Sequence, residues 1–182
     1  MEQAIEKIIR IAIVGPESTG KSTLAEQLAK HYNTCFVPEY AREYLNNLKR
    51  VYTIGDVVAI SKGQMQTEDE LALKANKLLI CDTTLLVTKI WAEFKYHQAP
   101  EWIKENINKR KYNLHLLTSI DLPWMPDPQR EHPHLREKLF EIYQNELAAL
   151  KVNYTIISGN AEMRLQQAIN SIDGLLKVNT HS

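Results

Sequence analysis

Gly15-Pro16-Glu17-Ser18-Thr19-Gly20-Lys21-Ser22 decides how the rest of this 182-residue chain is read. The stretch satisfies Gly-x-x-x-x-Gly-Lys-[Ser/Thr] at every constrained position. Before it, Ile8-Ile9-Arg10-Ile11-Ala12-Ile13-Val14 is the β-branched run of a buried strand. After it, residues 22–32 carry Leu24, Leu28 and Tyr32 at helical spacing. A strand that turns through glycine into a helix makes a cradle for polyphosphate. Successive backbone N–H groups point into one concavity when no side chain intervenes, and Gly15 and Gly20 permit the dihedrals and the close approach. The helix start adds free N–H groups and a dipole equivalent to roughly +0.5 charge. Lys21 adds a full charge toward the β- and γ-phosphates, and the Ser22 hydroxyl is a ligand for Mg²⁺. With Glu17, Ser18, Thr19 and Thr23 completing the loop and first turn, the expected ligands are ATP and Mg²⁺.

Outward from the loop, short apolar runs alternate with helical periods. Strands are expected at 34–37 (stopped by Pro38), 78–82, 112–118 and 152–157, and helices at 40–48, 54–77, 85–96, 101–110, 134–150 and 161–176. Five such alternations imply an α/β fold, a parallel sheet covered by helices on both faces. Residues 121–133 interrupt the pattern with Pro123, Pro126, Pro128 and Pro133. Proline blocks helix and sheet interiors, so a structured loop is expected, a lid at about 121–135. No repeat or linker divides the chain, and residues 1–182 read as one domain.

Lys plus Arg and Asp plus Glu each number 22, so the formal net charge is zero, against the basic excess of a dedicated nucleic-acid binder. Cys35 and Cys81 form no framework and no Cys-x-x-Cys, which suits two buried reduced thiols. No apolar run is long enough for a membrane span. Met1 to Lys7 carries acids and no apolar core, unlike a signal peptide. The expected location is cytoplasmic.

Asp82 ends the third strand, where ligands gather beyond strand carboxyl ends. It can hold Mg²⁺ opposite Ser22, directly or through water, or it can cap the helix that begins near Thr83-Thr84. The Asp82-Thr83-Thr84-Leu85 stretch is neither the Asp-x-x-Gly of a translational GTPase nor the Asp-Glu of a mechanical ATPase, and Asn-Lys-x-Asp is absent. Without a water-orienting group, transfer to a bound alcohol is favoured over hydrolysis. Glu39 and Arg42, three residues apart past the second strand, can face the acceptor together. Gln64 is a candidate contact to a base edge. Tyr40, Tyr44, Trp91, Phe94 and Trp124 can box a planar cation. The lid contains Asp121, Trp124, Asp127 and Arg130, with Arg136 beyond, and arginines on a closing loop can neutralise the charge that develops in phosphoryl transfer. His132-Pro133-His134 lacks the partners of a zinc site, and Gly159-Asn160 is either a turn beside adenine or a plain helix cap.

Residues 15–24, Pro38-Glu39-Tyr40-Ala41-Arg42-Glu43-Tyr44, Gly63-Gln64, Leu79-Ile80-Cys81-Asp82-Thr83, Asp121-Leu122-Pro123-Trp124 and Asp127-x-x-Arg130 occur in that order. Together they resemble the nicotinamide riboside kinase domain of NadR-type proteins, over about residues 8–176. The resemblance implies a three-layer P-loop kinase fold with parallel strand order 2-3-1-4-5. It implies ATP-dependent phosphorylation of the 5′-hydroxyl of nicotinamide riboside to nicotinamide mononucleotide. Carried over by motif, Lys21 and Ser22 serve triphosphate and metal, and Asp82 sits at magnesium and the reacting hydroxyl. Glu39 and Arg42 sit at the ribosyl acceptor, and Arg130 on the lid. Tyr40, Gln64, Trp124 and Asp127 complete the candidate substrate side; either Glu39 or Asp82 acts on the hydroxyl proton. The lid reads Asp127-Pro128-Gln129-Arg130 where family members often have Asp-Gly-x-Arg, and Pro128 stiffens that turn. The chain starts seven residues before its first strand, which implies a stand-alone kinase. A kinase for another nucleoside or small alcohol, and a nucleotide-sensing regulator without turnover, are the alternatives.

Overall fold

Along β1 (Ile9–Val14) side chains alternate between two faces, and both are covered: Ile11, Ala12, Ile13 and Val14 are 0% exposed. This is a computed structural model, and it describes residues 8–179. β1 lies between β3 (Leu78–Asp82) and β4 (Leu114–Thr118), both fully buried strands. β2 (Phe36–Val37) and β5 (Tyr154–Ile157) form the edges, giving the order β2-β3-β1-β4-β5 with every pairing parallel. This is the expected order.

One face of the sheet carries α1 (Lys21–His31) and α7 (Ala161–Asn179), whose Leu24, Leu28, Ala168 and Ile172 pack on Ile11, Ile13, Ile80 and Leu116. The other carries α4 (Leu85–Tyr96) and α6 (Arg136–Ala149), whose Leu86, Ile90, Leu139 and Tyr143 meet Ala12, Val14 and Leu117. α3 (Ile54–Ala72) brings Leu71 and Ala72 against Val37, Leu79 and Cys81. The remaining helices, α2 (Tyr40–Asn47) and α5 (Glu101–Ile107), flank α3.

Element boundaries depart from the sequence reading where side chains replace backbone pairing. β2 is shorter than 34–37 because the Thr34 hydroxyl donates to Leu78 O at 2.6 Å and accepts from Asn76 N at 3.0 Å, in place of a ladder. α3 ends at Ala72 rather than at 77, because the chain must reverse into β3, and Lys77 does so at φ 65°. Cys35 and Cys81 are both free; Cys81 is buried, whereas Cys35 is only half-buried. Among the described residues no helix is long and apolar enough to cross a membrane. The reading of Met1–Lys7 lies outside the described residues.

Candidate active site

Parallel pairing sets the carboxyl ends of β1 and β3 side by side, with Ile13 opposite Asp82. The phosphate loop leaves β1 there. At Gly15 (φ 145°) an added Cβ would fall 2.5 Å from Thr118 Oγ1 and 2.9 Å from Thr118 O, so only glycine fits. The Thr19 hydroxyl points away from any ligand: it donates to Pro16 O at 2.8 Å and lies 2.6 Å from Thr118 Oγ1. Gly20 turns the chain into α1 at φ 77°. Lys21 Nζ folds over the loop, donating to Gly15 O at 3.0 Å and Pro16 O at 2.8 Å.

Ser22 Oγ donates to Asp82 Oδ2 at 2.6 Å. Burial, with the Glu39 charge nearby, pushes the Asp82 carboxyl up to about 6, despite the Ser22 bond and the Lys21 and Arg42 charges. Its other oxygen, Oδ1, is buried with no hydrogen-bond partner. A hydroxyl and a carboxylate with a spare buried oxygen are the hard donors Mg²⁺ takes when phosphates supply other ligands, so these residues fit the ion. Among the described residues no cluster of three or more His, Cys, Asp or Glu could hold a metal alone. Asp82 is not the cap of α4; Thr84 is, accepting from Leu86 N at 3.3 Å. Between them Thr83 sits at φ 77°, a strained conformation for a β-branched residue and one that concentrates at functional sites.

Gln64 supports that strained turn and is not a base contact. It is 1% exposed; its Oε1 accepts from Tyr40 N at 2.9 Å, and its Nε2 reaches Pro38 O, Asp82 O and Thr83 O at 3.3–3.4 Å. One buried amide thus ties the start of α2 to the end of β3.

Two recesses meet over the loop. The first, about 160 Å³, is lined by residues 17–23 with Glu39, Arg42, Gln129 and Arg130. The second, about 260 Å³, is walled by Tyr52, Trp91, Phe94 and Tyr143, with Arg50 and the acids Glu17, Glu39 and Glu131. Glu17, Lys21, Glu39 and Gln129 line both. Among the described residues no group donates a hydrogen bond to the Glu39 carboxylate, which stands at the junction.

The segment 121–135, without helix or strand, lies over the loop as the sequence anticipates. Glu17 Oε2 accepts from Glu131 N and His132 N at 3.1 and 3.2 Å, and Ser18 Oγ accepts from Met125 N at 2.8 Å. Arg42 donates to Asp127 Oδ2 at 2.9 Å, while Asp127 Oδ1 accepts from Gln129 N at 2.9 Å. Those contacts hold the Asp127 carboxyl below the usual range, the Gln129 N–H first and Arg42 second.

Several candidates therefore lie elsewhere than expected. Asp127 spends its carboxylate on the lid turn and lines neither recess. Tyr40 and Tyr44 face a shallow groove outside α2. The Trp124 ring lies under the Arg136 guanidinium, 5.6 Å from its centroid. Arg136 itself donates to Ser18 O and Leu122 O, so its charge is not aimed into the recess. The aromatic wall instead joins Trp91 and Phe94 to Tyr52 and Tyr143, which the sequence reading missed. Tyr52 sits in a connecting segment with no periodic pattern, and Tyr143 reads only as a core position of α6. Tyr52 OH contacts Glu131, Trp91 Nε1 and Lys95 Nζ, which links the lid to α4.

Comparison with known proteins bears on the family and the fold. The chain is 30% identical over 124 residues to the trifunctional NAD biosynthesis/regulator proteins NadR of Salmonella typhimurium and Escherichia coli K12. The match covers 66% of this chain and 30% of theirs, so the chain spans under a third of those relatives. Crystal structures of NadR protein in complex with NR, and with NAD and AMP-PNP, superpose at TM-scores of 0.75 and 0.77 and 22% identity. Each superposition covers 92% of this chain and about half of the other. Thymidylate kinase from Ehrlichia chaffeensis matches at a TM-score of 0.64 and 12% identity, covering 90% of this chain and 98% of that one. At these identities the structural likeness concerns the fold, which is that of P-loop kinases. Residues 10–164, most of the chain, match the AAA_28 family, described as an AAA domain, and the chain belongs to that family.

Proposed function

We propose that this chain transfers the γ-phosphoryl group of ATP to the 5′-hydroxyl of nicotinamide riboside, yielding nicotinamide mononucleotide. The observation that carries the reading is the shared wall of the two recesses: Glu17, Lys21 and Glu39 border both the phosphate loop and an aromatic, acid-rimmed cavity. Aromatic faces and carboxylates suit a pyridinium cation. The NadR proteins named for NAD biosynthesis, and the NadR structure in complex with NR, support the same acceptor.

In this reading Lys21 neutralises phosphate charge at the junction, Arg130 does so from the lid, and Arg42 from α2. Ser22 and Asp82 would hold Mg²⁺, which when bound supplies charge neutralisation across the β- and γ-phosphates. Glu39, unpaired and facing both recesses, orients the acceptor hydroxyl and takes its proton, while Asp82 serves the metal. The lid excludes water, so the phosphoryl group meets the alcohol. Most of the acceleration then comes from positioning and fixed charge.

An acceptor panel with ATP and Mg²⁺ tests this. Nicotinamide riboside should be the best substrate, ahead of uncharged nucleosides of similar size. Product from a neutral nucleoside but none from nicotinamide riboside moves the assignment to that nucleoside. ATP binding without product from any acceptor favours a sensing role.

A further inference from the structure

We infer that Arg164 is a positioning residue of the phosphate loop, holding the Thr19–Gly20 peptide so that the Gly20 N–H is presented to phosphate. The inference rests on the triphosphate reading of that loop. Arg164 lies on α7 and is only 3% exposed, and it lines neither recess. Its guanidinium donates to Thr19 O at 2.8 Å, Ser119 O at 3.0 Å and Gly159 O at 2.7 Å, and it also pairs with Asp121 Oδ1. Asp121 Oδ2 in turn accepts from Gly159 N. One side chain so ties together the loop, the exit of β4, the start of the lid and the turn before α7.

The geometry explains why a guanidinium is used. In a trans peptide the C=O and the following N–H lie in one plane and point in opposite directions. Fixing Thr19 O from behind therefore aims the Gly20 N–H the other way. Arg136 does the same one residue earlier, donating to Ser18 O at 3.3 Å and so fixing the peptide of the Thr19 N–H. Among the described residues neither the Thr19 nor the Gly20 N–H donates to any protein acceptor. Two guanidiniums on consecutive carbonyls leave two consecutive amides free, an anion nest assembled before any anion arrives. Burying such a charge is costly unless it is paired and hydrogen-bonded. An apolar side chain of similar volume would fill the space and leave the carbonyls unheld.

The test measures binding of ATP with Mg²⁺ by calorimetry on the full chain, for wild type, Arg164→Ala and Arg164→Lys, with melting temperatures alongside. Wild type should bind. Arg164→Ala should bind at least about 10-fold more weakly at a temperature where it stays folded, as expected for loss of preorganised donors. Arg164→Lys, which keeps the charge but not the fork, should fall between. Millimolar guanidinium ion should restore affinity to Arg164→Ala and leave wild type unchanged. No binding by wild type overturns the triphosphate reading and this inference with it. Wild-type binding matched by folded Arg164→Ala, or a loss that guanidinium does not rescue, overturns the positioning role alone. If Arg164→Ala is unfolded, Arg164→Lys decides: ATP affinity equal to wild type contradicts the role.

Discussion

Ser22 Oγ stands 2.6 Å from Asp82 Oδ2, across 60 positions of sequence. The contact exists because β1 and β3 are parallel neighbours in register, which sets the start of α1 beside the end of β3. Ionised Asp82 is uncomfortable in its pocket when no cation is bound. Its folded value, about 6, lies above the ordinary 3.8, so its stabilising neutral form is fully populated below 3.8 and is lost as pH rises through 6.

Asp82→Asn should therefore separate stability from function. At pH 7.5 and without magnesium, the variant should be more stable than wild type by about 1–3 kcal/mol in urea melts. Its phosphotransfer should fall about 100-fold or more, since a carboxylate at the metal is lost. A variant less stable than wild type, or one that keeps its activity, contradicts the assignment.

A second buried acid makes a separate pH prediction. Glu68 is 0% exposed, and burial pushes it up to about 7, although Tyr112 OH donates to it at 2.7 Å and Arg110 lies 3.5 Å away. Stability should fall as pH rises from about 4.5 to about 7 on this account. His115, lowered to about 4 by burial, acts in the opposite direction, adding stability as pH rises from 4 to its ordinary 6.5. Glu68→Gln keeps the acceptor for Tyr112 and removes only the first effect. Because the Asp82 and His115 effects are common to both proteins, its stability relative to wild type should grow as pH rises from about 4.5 to about 7 and exceed wild type above pH 7. Parallel wild-type and variant curves refute this.

Gly63 is held by contact. A Cβ there would fall 2.2 Å from Tyr40 Cε1, in the first residue of α2. Gly63→Ala must shift Tyr40 and with it Glu39, the cap of that helix. The expected cost is about 1–3 kcal/mol of stability, with a raised KM for the acceptor and an unchanged dissociation constant for ATP. An unchanged KM for the acceptor would place α2 outside the acceptor site.

Asp127→Asn tests the lid. The Arg42–Asp127 pair is partly exposed, at 45% and 20%, so global stability should change by no more than about 1 kcal/mol. The lid turn should loosen all the same, raising KM for ATP several-fold and admitting water, visible as increased ATP hydrolysis without acceptor. Kinetics identical to wild type would show that the turn does not gate the site.

The fold was legible because its signals are local. A glycine-bounded loop between a β-branched run and a helix has few structural meanings, and five strand–helix alternations leave a parallel sheet. The site was half legible. Lys21, Ser22, Glu39 and Asp82 converge because motif position and strand ends place them. Gln64 misled because an amide on a helix looks the same whether it meets a base or, as here, Tyr40 N and Asp82 O. Trp124 and Tyr40 misled for the same reason: an aromatic ring carries no local mark of which cavity it faces. Arg164 was invisible, since its partners Thr19, Ser119, Asp121 and Gly159 come together only when β4, β5 and α7 are assembled.

The most direct measurement is calorimetric titration of ATP into wild type and Lys21→Ala, with and without magnesium. The account predicts magnesium-dependent binding to wild type, and binding at least about 100-fold weaker when the Lys21 charge at the phosphates is gone. Equal affinity in the two proteins, or heat of binding indifferent to magnesium, would contradict the claim that residues 15–22 grip a triphosphate.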